Sequence, residues 1–176
     1  MAKFNALMLR ENDGKIQGAV EQVDDSDLPE GDVLVRIDYS TINYKDGMIV
    51  SGIGGLVRNY PHVPGIDFAG TVEESNDPAL KPGDKVVLNG WRIGESRWGG
   101  YAQKARVKAG QLVKLPDNID TRRAMAIGTA GYTAMLCVLA LERHGIAPGS
   151  GDILVTGANG GVGTVAIALL AALGHR

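Results

Sequence analysis

A cluster of glycines near the end of the chain has the residue types and spacing that best indicate chemistry. Gly157, Gly160, Gly161 and Gly163 follow the apolar residues 153–155 and precede an apolar helical pattern. Glycines let a backbone approach a charged ligand closely, and a helix that begins at about Gly161 directs free N–H groups and the positive end of its dipole toward that ligand. The stretch therefore predicts binding of a pyrophosphate group. A tight strand-to-helix turn without a ligand is the alternative.

The context of these glycines is that of the Rossmann dinucleotide-binding motif, although their spacing differs from the strict G-x-G-x-x-G. We expect the cofactor to contact four residues: Asn159, Gly160, Gly161 and Val162. In such folds the residue that reads the ribose 2′ position lies about 20 residues beyond the glycines, which is past Arg176. We therefore expect the chain to be part of a longer protein with further βα units.

Composition and charge narrow the class of protein. Of the 176 residues, 44% are hydrophobic, and 18 basic against 20 acidic residues give a net charge of −2. This balance provides no basic surface for nucleic acid or an anionic membrane, and we expect no apolar run to reach the ~20 residues of a membrane span. The first residues lack a secretory signal, and Cys137 is the single cysteine, so we expect a cytoplasmic protein without an intrachain disulfide.

The first 120 residues predict an all-β domain. Asn12, Asp13 and Gly14 predict a hairpin turn between two strands within residues 3–23. Alternating or apolar runs predict further strands at residues 33–39, 68–73, 85–88, 101–107 and 112–115. A turn with proline at its second position is expected at residues 81–84. The spacing of the breaks is typical of a small barrel.

The pattern changes to helix after residue 120. Asp120 or Thr121 can cap a helix that has a break at residues 128–131 and ends at Gly145. Residues 134–141 are apolar on every face, which predicts burial between layers, with Cys137 as a small core residue. We therefore predict a β-rich domain at residues 1–120 and the start of a cofactor-binding domain at residues 121–176.

A series of motifs resembles the medium-chain dehydrogenase/reductase superfamily. They lie in the family's order at residues 64–70, 81–86, 99–102, 128–134 and 158–163. The variants Asn43-Tyr44-Lys45-Asp46 and Trp98-Gly99-Gly100-Tyr101 resemble the zinc-free acryloyl-CoA reductase and quinone-oxidoreductase-like branch. The resemblance implies an α/β plus β fold, in which a GroES-like β-barrel domain precedes the first βα unit of a Rossmann domain.

The same resemblance implies an activity. It implies NADPH-dependent reduction of the activated C=C bond of acryloyl-CoA, or a similar enoyl thioester, by hydride transfer without a metal. A quinone is the alternative substrate, and a non-enzymatic GroES-like binding or assembly module is the alternative from a different class. The full-length protein is expected to form a homodimer. The 176-residue chain alone is expected to associate, or to depend on another chain that carries the remainder, and to be inactive. No catalytic residue is assigned.

Metal independence follows from the resemblance residue by residue. Zinc-dependent members carry a cysteine in place of Asn43 and a histidine in place of Ile66, so two zinc ligands are missing. A four-cysteine structural zinc lobe cannot be built with Cys137 alone. Three histidines have no metal-binding spacing and are expected at the surface: His62, His144 and His175.

The resemblance also suggests candidate site residues. Tyr44 corresponds to a residue that faces the nicotinamide half of the cofactor, with packing at a strand end as the alternative. Asn43 and Tyr44 are candidate donors to the substrate oxygen. Lys45 and Asp46 are expected to be an exposed charged pair. Asp67 is expected to be a buried carboxylate that accepts hydrogen bonds from backbone N–H groups.

The tryptophan-containing loop supplies the other substrate candidates. Arg92 and Arg97 lie between Trp91 and Trp98. Two guanidinium groups beside aromatic rings are suited to bind an anionic tail such as that of coenzyme A, through paired contacts to phosphate. A solvated loop without a ligand is an equal alternative.

Overall fold

The structure, a computed structural model, describes residues 3–176. It divides into two compact units, one that ends at Ala126 and one from Ile127 to Arg176. We call them unit 1 and unit 2. Unit 1 contains the β-strands, the short helix α1 (Tyr44–Val50) and the first residues of helix α2 (Thr121–Arg143). The rest of α2 and helix α3 (Gly161–Ala172) belong to unit 2.

Unit 1 begins with the predicted hairpin. Strands β1 (Lys3–Asn12) and β2 (Lys15–Asp24) pair antiparallel, with Asn12 opposite Lys15. Asp13 and Gly14 both have positive φ, 51° and 74°, as a two-residue type I′ turn requires. The turn prediction is confirmed.

A five-stranded antiparallel sheet forms the rest of the β structure. Its strands are β3 (Val33–Ser40), β4 (Asp67–Ser75), β5 (Lys85–Asn89), β6 (Lys104–Val107) and β7 (Val113–Lys114), in the spatial order β6-β3-β4-β5-β7. All five predicted strands are present, and the last two are shorter than expected. Backbone bonds from Leu7 N to Tyr101 O (2.8 Å) and from Gln103 N to Asn5 O (2.9 Å) join the hairpin to residues next to β6.

The core of the sheet fixes where the polar residues of unit 1 lie. Val33, Val35, Phe68, Val86 and Leu88 are fully buried together. Antiparallel pairing places the end of β3, the start of β4 and the end of β5 at one edge of the sheet. The residues at those strand ends, Ser40, Asp67 and Asn89, are therefore neighbours.

The long helix has the predicted start, break and end. Helix α2 runs from Thr121 to Arg143, and Asp120 caps it by accepting a 2.7 Å hydrogen bond from Arg123 N. Gly128 interrupts it with φ 51° and ψ −165°. Gly145 adopts φ 80° beyond its end and donates to Glu142 O, as in a helix-terminating glycine.

The burial predicted for residues 134–141 is met only in part among the described residues. Ala134 and Val138 are buried, whereas Met135 and Leu136 are 38% and 48% exposed and Cys137 is exposed as well. Among residues 3–176, no layer covers this face of α2. Cys137 is therefore not buried by the described residues.

Helix α2 is also long and apolar enough, by length and composition alone, to cross a membrane. Of its most apolar stretch, 33% is buried. This corrects the expectation that no segment reaches that length and apolarity. Core helices of globular proteins have the same properties, and the left-handed residue Gly128 interrupts this one.

The strand predicted at residues 153–156 is not formed as a hydrogen-bonded strand. Ile153 N donates to Arg176 O at 2.7 Å, and Leu154 is 89% exposed. A strand requires a neighbour that accepts and donates its backbone hydrogen bonds, and the part of the chain that is described provides none here. The segment leads directly to the glycine loop.

Candidate functional site

The glycine loop of unit 2 has the geometry of an anion-binding turn. Helix α3 runs from Gly161 to Ala172, so it begins at the predicted residue. Gly157 has φ 64°, and Gly160 N donates to Gly157 O at 2.9 Å. Thr164 Oγ1 donates to Ala158 O at 3.1 Å. These bonds hold the loop against the first turn of the helix.

Two kinds of glycine occur in this loop. A Cβ atom on Gly163 would lie 2.3 Å from Gly157 O, so this glycine is required for the helix to pack on its own turn. A Cβ atom on Gly160 would meet only Gly157 O, at 3.3 Å, and Gly160 and Gly161 are exposed. The absence of a side chain at Gly160 therefore matters less for packing than for the approach of a ligand.

The start of α3 offers free donors. Thr164 N is bonded to Gly160 O, whereas the N–H groups of the first helical turn, at Gly161, Val162 and Gly163, have no intrahelical acceptor. The helix dipole adds partial positive charge at the same place. The loop fits a pyrophosphate group, and it contains the four residues predicted from the sequence to contact the cofactor.

An apolar groove adjoins the loop. Its cavity volume is about 540 Å³. It is lined by the loop and by apolar residues of α2, α3 and residues 153–155, among them Val138, Leu141, Leu154 and Leu170. Cys137 lies on its wall. The groove thus places apolar surface beside a polar, donor-rich loop.

A buried network around Asp67 is the main polar feature of unit 1. Asp67 is 0% exposed. Its Oδ1 accepts from Asn89 Nδ2 at 2.9 Å, and its Oδ2 accepts from Thr41 Oγ1 at 2.9 Å and from Asn43 Nδ2 at 3.3 Å. The predicted burial is confirmed, and these three donors are side chains. Asp67 thereby links the ends of β3, β4 and β5.

Asp46 is a second buried carboxylate in this network, and the expectation of an exposed Lys45–Asp46 pair is wrong for it. Asp46 is 1% exposed. Its Oδ2 accepts from Asn43 N at 2.8 Å, and its Oδ1 accepts from Ile66 N at 3.0 Å. It therefore closes the first turn of helix α1 (Tyr44–Val50) and ties that turn to the segment before β4. Lys45 pairs instead with Glu95, Nζ to Oε1, at 2.9 Å.

Tyr101 completes the network. Its hydroxyl group donates to Thr41 O at 2.9 Å. Burial, together with the negative charges of Asp46 and Asp67, raises the pKa of Tyr101 well above its ordinary value. The phenol is therefore neutral across the physiological pH range and acts as a hydrogen-bond donor.

Tyr44 differs from its neighbours in this region. It is the first residue of α1 and is 87% exposed. Asn43, directly before it, donates through Nδ2 to Thr41, Asp46 and Asp67 at 2.7, 3.2 and 3.3 Å. The network thus fixes the backbone at Tyr44 and leaves the phenol side chain open to a ligand.

Arg92 and Arg97 are not brought together as one clamp. Arg92, with a left-handed backbone (φ 59°) and a side chain that is 76% exposed, lines a cavity with Arg58 and His62. Arg97 lines a different cavity with Trp98. A joint contact of the two guanidinium groups with one phosphate is not supported by this arrangement.

The surface position expected for His62 is wrong. His62 is 3% exposed, and its Nε2 lies 2.7 Å from Gly94 O. Burial lowers its pKa, and the hydrogen bond to Gly94 O offsets only part of that effect. His144 is exposed, with Nδ1 2.8 Å from Ala140 O, and His175 is half-buried.

The positions that carry zinc ligands in related zinc enzymes are used differently here. The Asn43 amide donates into the Asp67 network, and Ile66 packs in a cluster with Leu9, Ile49 and Val57. Within residues 3–176, no group of three or more His, Cys, Asp and Glu side chains is arranged to hold a metal ion. Metal independence stays a prediction.

Sequence reasoning missed Thr41, Asn89 and Tyr101 as members of this network. The spacing from Asn43 to Asp46 carries a usable signal, because a polar residue followed three positions later by an acid is typical of a capped helix start. Asn89 and Tyr101 have no such local signal. Their role depends on which strand ends meet at the edge of the sheet.

Comparison with known proteins identifies the protein family. Residues 29–117 match the alcohol dehydrogenase GroES-like domain family. The chain belongs to this family. Its β architecture and the glycine loop that follows are those of the N-terminal part of medium-chain dehydrogenase/reductase oxidoreductases, as the resemblance implied.

Particular relatives are named as an acrylyl-CoA reductase and as oxidoreductases. Acrylyl-CoA reductase AcuI of Ruegeria pomeroyi is 64% identical over 98% of this chain and 53% of its own length. The Salmonella enterica YhdH oxidoreductase, solved with NADP, is 52% identical with a TM-score of 0.96, over 98% of this chain and 53% of that one. Bacillus subtilis YhfP, provisionally named a quinone oxidoreductase, is 44% identical and was solved with NAD bound. Its structure aligns with the whole of this chain and with 54% of its own length, with a TM-score of 0.95. This chain thus spans about half the length of these relatives.

Proposed function

We propose that the protein to which this chain belongs is an NADPH-dependent reductase of the activated C=C bond of acryloyl-CoA or a similar enoyl thioester. The observation that carries the proposal is the glycine loop, in which an exposed Gly160 precedes the free N–H groups at the start of α3. The 64% identity to an acrylyl-CoA reductase supports the choice of substrate.

The loop supplies the binding of the cofactor. Asn159, Gly160, Gly161 and Val162 contact the pyrophosphate, and the attraction comes from the free N–H groups at the start of α3 and from the helix dipole. The bound dinucleotide supplies the hydride. The preference for NADPH over NADH rests on the Salmonella enterica relative, which was solved with NADP, whereas the Bacillus subtilis relative was solved with NAD.

The residues of unit 1 are proposed to position the reacting groups. Tyr44, exposed and on a backbone fixed by Asn43 and Asp46, is proposed to contact the nicotinamide half of the cofactor. Reduction places negative charge on the thioester oxygen, which hydrogen-bond donors stabilise when no metal does so. The Asn43 amide donates to three neighbouring oxygens, so its main role is to hold this geometry.

A quinone is the second candidate substrate. The similarity to the Bacillus subtilis protein, provisionally named a quinone oxidoreductase, favours it. Quinones and enoyl thioesters both accept hydride and accumulate negative charge on an oxygen, so the same site can serve either substrate. A quinone lacks the anionic nucleotide tail of a CoA thioester.

The test uses the chain completed to the length of its relatives. We expect NADPH oxidation with acryloyl-CoA at a kcat/KM at least tenfold above that with a simple benzoquinone, and no loss of rate after exhaustive chelation. A higher kcat/KM with the quinone would show that the quinone, and not the enoyl thioester, is the preferred substrate. The absence of turnover with both, while NADPH still binds, would favour a non-enzymatic GroES-like module.

A further inference from the structure

The cavity of unit 1 that Arg97 and Trp98 line is a second candidate site, which we call the cationic pocket. Its volume is about 290 Å³, and three basic side chains line it: Arg97, Arg106 and Lys108. Trp98 and Gln111 line it as well, and Glu30 is the single acidic residue among its lining side chains. The proposed function uses none of these residues apart from the substrate prediction for Arg97.

The positive charge of this pocket is largely uncompensated. Among residues 3–176, neither Arg97 nor Lys108 forms an ion pair, and both are exposed. Arg106 lies 3.4 Å from Glu74 Oε2, but Glu74 is 66% exposed, so that pair is weak. A concave site with this charge, on a chain whose net charge is −2, attracts small anions.

The neutral residues of the pocket are held in place. Gln111 is 8% exposed, and its Oε1 accepts from Lys108 N at 3.1 Å, which leaves its amide N–H groups as donors. Trp98 Nε1 donates to Pro61 O at 3.2 Å, and its ring packs against the apolar cluster of Phe4, Met8 and Val63. The indole therefore forms a fixed apolar wall beside the cations.

The pocket lies away from the network around Asp67. Val107 lines the pocket and pairs with Val33 at the start of β3, whereas Ser40, at the other end of β3, donates to Asp67 O. Seven steps along a strand at about 3.3 Å each separate the two ends by roughly 23 Å. A ligand in the pocket thus leaves the Asp67 network free.

From this geometry we propose that the cationic pocket binds a phosphate monoester, with the phosphate on Arg97, Arg106 and Lys108 and the adjoining ring or apolar group on Trp98. Guanidinium groups bind phosphate through two parallel hydrogen bonds, and lysine adds a point charge. The volume lies just below the roughly 300–1,000 Å³ of pockets for drug-sized ligands, which suits a phosphate with one attached ring and excludes a whole dinucleotide.

Calorimetric titration of the 176-residue chain tests the proposal, with AMP, inorganic phosphate and adenosine as probes. We expect AMP to bind more tightly than phosphate, adenosine not to bind measurably, and affinity to fall as salt rises. Arg97→Gln and Lys108→Gln should each weaken AMP binding at least tenfold. Arg122→Gln and Lys15→Gln, which remove exposed charges elsewhere in unit 1, should leave it unchanged.

A Gly160→Val variant separates this pocket from the glycine loop, because AMP bound in the pocket retains its affinity when the loop is blocked. Coenzyme A, whose adenosine carries a 3′-phosphate, serves as a further probe. Tighter binding of coenzyme A than of AMP would indicate that the natural ligand of the pocket is the CoA part of the thioester substrate. Equal binding of the two would indicate a free nucleotide. The proposal is overturned if AMP does not bind at millimolar concentration, if adenosine binds as well as AMP, or if Arg97→Gln and Lys108→Gln bind AMP normally.

Discussion

The Asp67 network of unit 1 and the apolar groove of unit 2 differ in what they expose to solvent. In unit 1, two carboxylates that are at most 1% exposed accept hydrogen bonds from side chains and backbone at the ends of three strands. In unit 2, apolar side chains such as Leu154, 89% exposed, surround an open groove. Unit 1 is closed around its polar groups, whereas unit 2 presents apolar groups to solvent.

This difference predicts different effects of mutation in the two units. The buried carboxylates fix the backbone around Tyr44 within unit 1, because their hydrogen-bond partners lie at the ends of neighbouring strands. The glycine loop is held by two local bonds, from Gly160 N and Thr164 Oγ1. Burial of the apolar surface beside it would be favourable by about 25 cal/mol per Å². We therefore expect mutations to affect stability in unit 1 and ligand binding or association in unit 2.

The largest effect is expected for Asp67→Ala. The change removes the acceptor of Thr41 Oγ1 and of Asn89 Nδ2, both part-buried, whereas the Asn43 amide keeps its bonds to Thr41 and Asp46. Each unsatisfied donor costs about 1–3 kcal/mol. We expect the free energy of unfolding to fall by about 3 kcal/mol in urea denaturation. Glu74→Ala removes an exposed carboxylate from the same strand and should change it by less than about 0.5 kcal/mol. Equal effects of the two variants would show that the network does not stabilise unit 1.

Gly163→Ala is expected to affect unit 2 selectively. The new Cβ atom would lie 2.3 Å from Gly157 O, so the loop or the first turn of α3 must move. NADPH affinity should fall at least tenfold, or by about 1.4 kcal/mol, in a fluorescence titration. Gly110→Ala, where a Cβ atom meets nothing within 4 Å, is the control. Normal NADPH affinity in Gly163→Ala would mean that the loop geometry does not determine binding.

His62 should make the stability of unit 1 depend on pH. Burial lowers its folded-state pKa, so the unfolded chain binds a proton more readily. The contribution of neutral His62 is complete above the unfolded pKa of about 6.5 and is lost as the pH falls toward the folded value, by up to about 1.4 kcal/mol per pH unit. Urea denaturation at pH 7.5 and 5.5 should show a steeper loss for the natural chain than for His62→Gln. Parallel losses would contradict burial of an uncharged ring.

The smallest effect on stability is expected for Leu154→Gln. The side chain is 89% exposed, so the free energy of unfolding should change by less than about 0.5 kcal/mol. Self-association of the 176-residue chain, measured by light scattering, should decrease because the variant removes apolar surface next to the groove. If Leu154→Gln unfolds the chain, or if the natural chain is a monodisperse monomer, the groove is not an exposed apolar face.

The local features of the fold were predictable from the sequence. Asp13-Gly14 indicates a two-residue hairpin turn, Asp120 a helix cap and Gly145 a helix end, because each depends on backbone conformations that few residue types favour. The start of α3 at Gly161 follows for the same reason. Such signals act within a few residues and do not require knowledge of tertiary contacts.

The features that depend on distant partners were not predictable. The spacing from Asn43 to Asp46 indicates a helix cap, but the burial of Asp46 also depends on Ile66 N, 20 residues away, which donates to it. His62 is buried because Gly94 O, 32 residues away, accepts its hydrogen bond. The apolar residues 153–156 predict a strand, but a strand forms only when a neighbouring strand pairs with it through backbone hydrogen bonds. Each of these outcomes is decided by tertiary structure.

The central claim is that the exposed backbone at Gly160 receives the cofactor, and NADPH titration of Gly160→Val tests it most directly. A Cβ atom at Gly160 has one close neighbour, Gly157 O at 3.3 Å, which must shift by a few tenths of an ångström. We therefore expect the added side chain to obstruct the ligand more than the fold. In the chain completed to the length of its relatives, the account predicts loss of measurable NADPH binding with an unchanged urea midpoint. Unchanged NADPH affinity in Gly160→Val would contradict it and leave the loop as a strand-to-helix turn only.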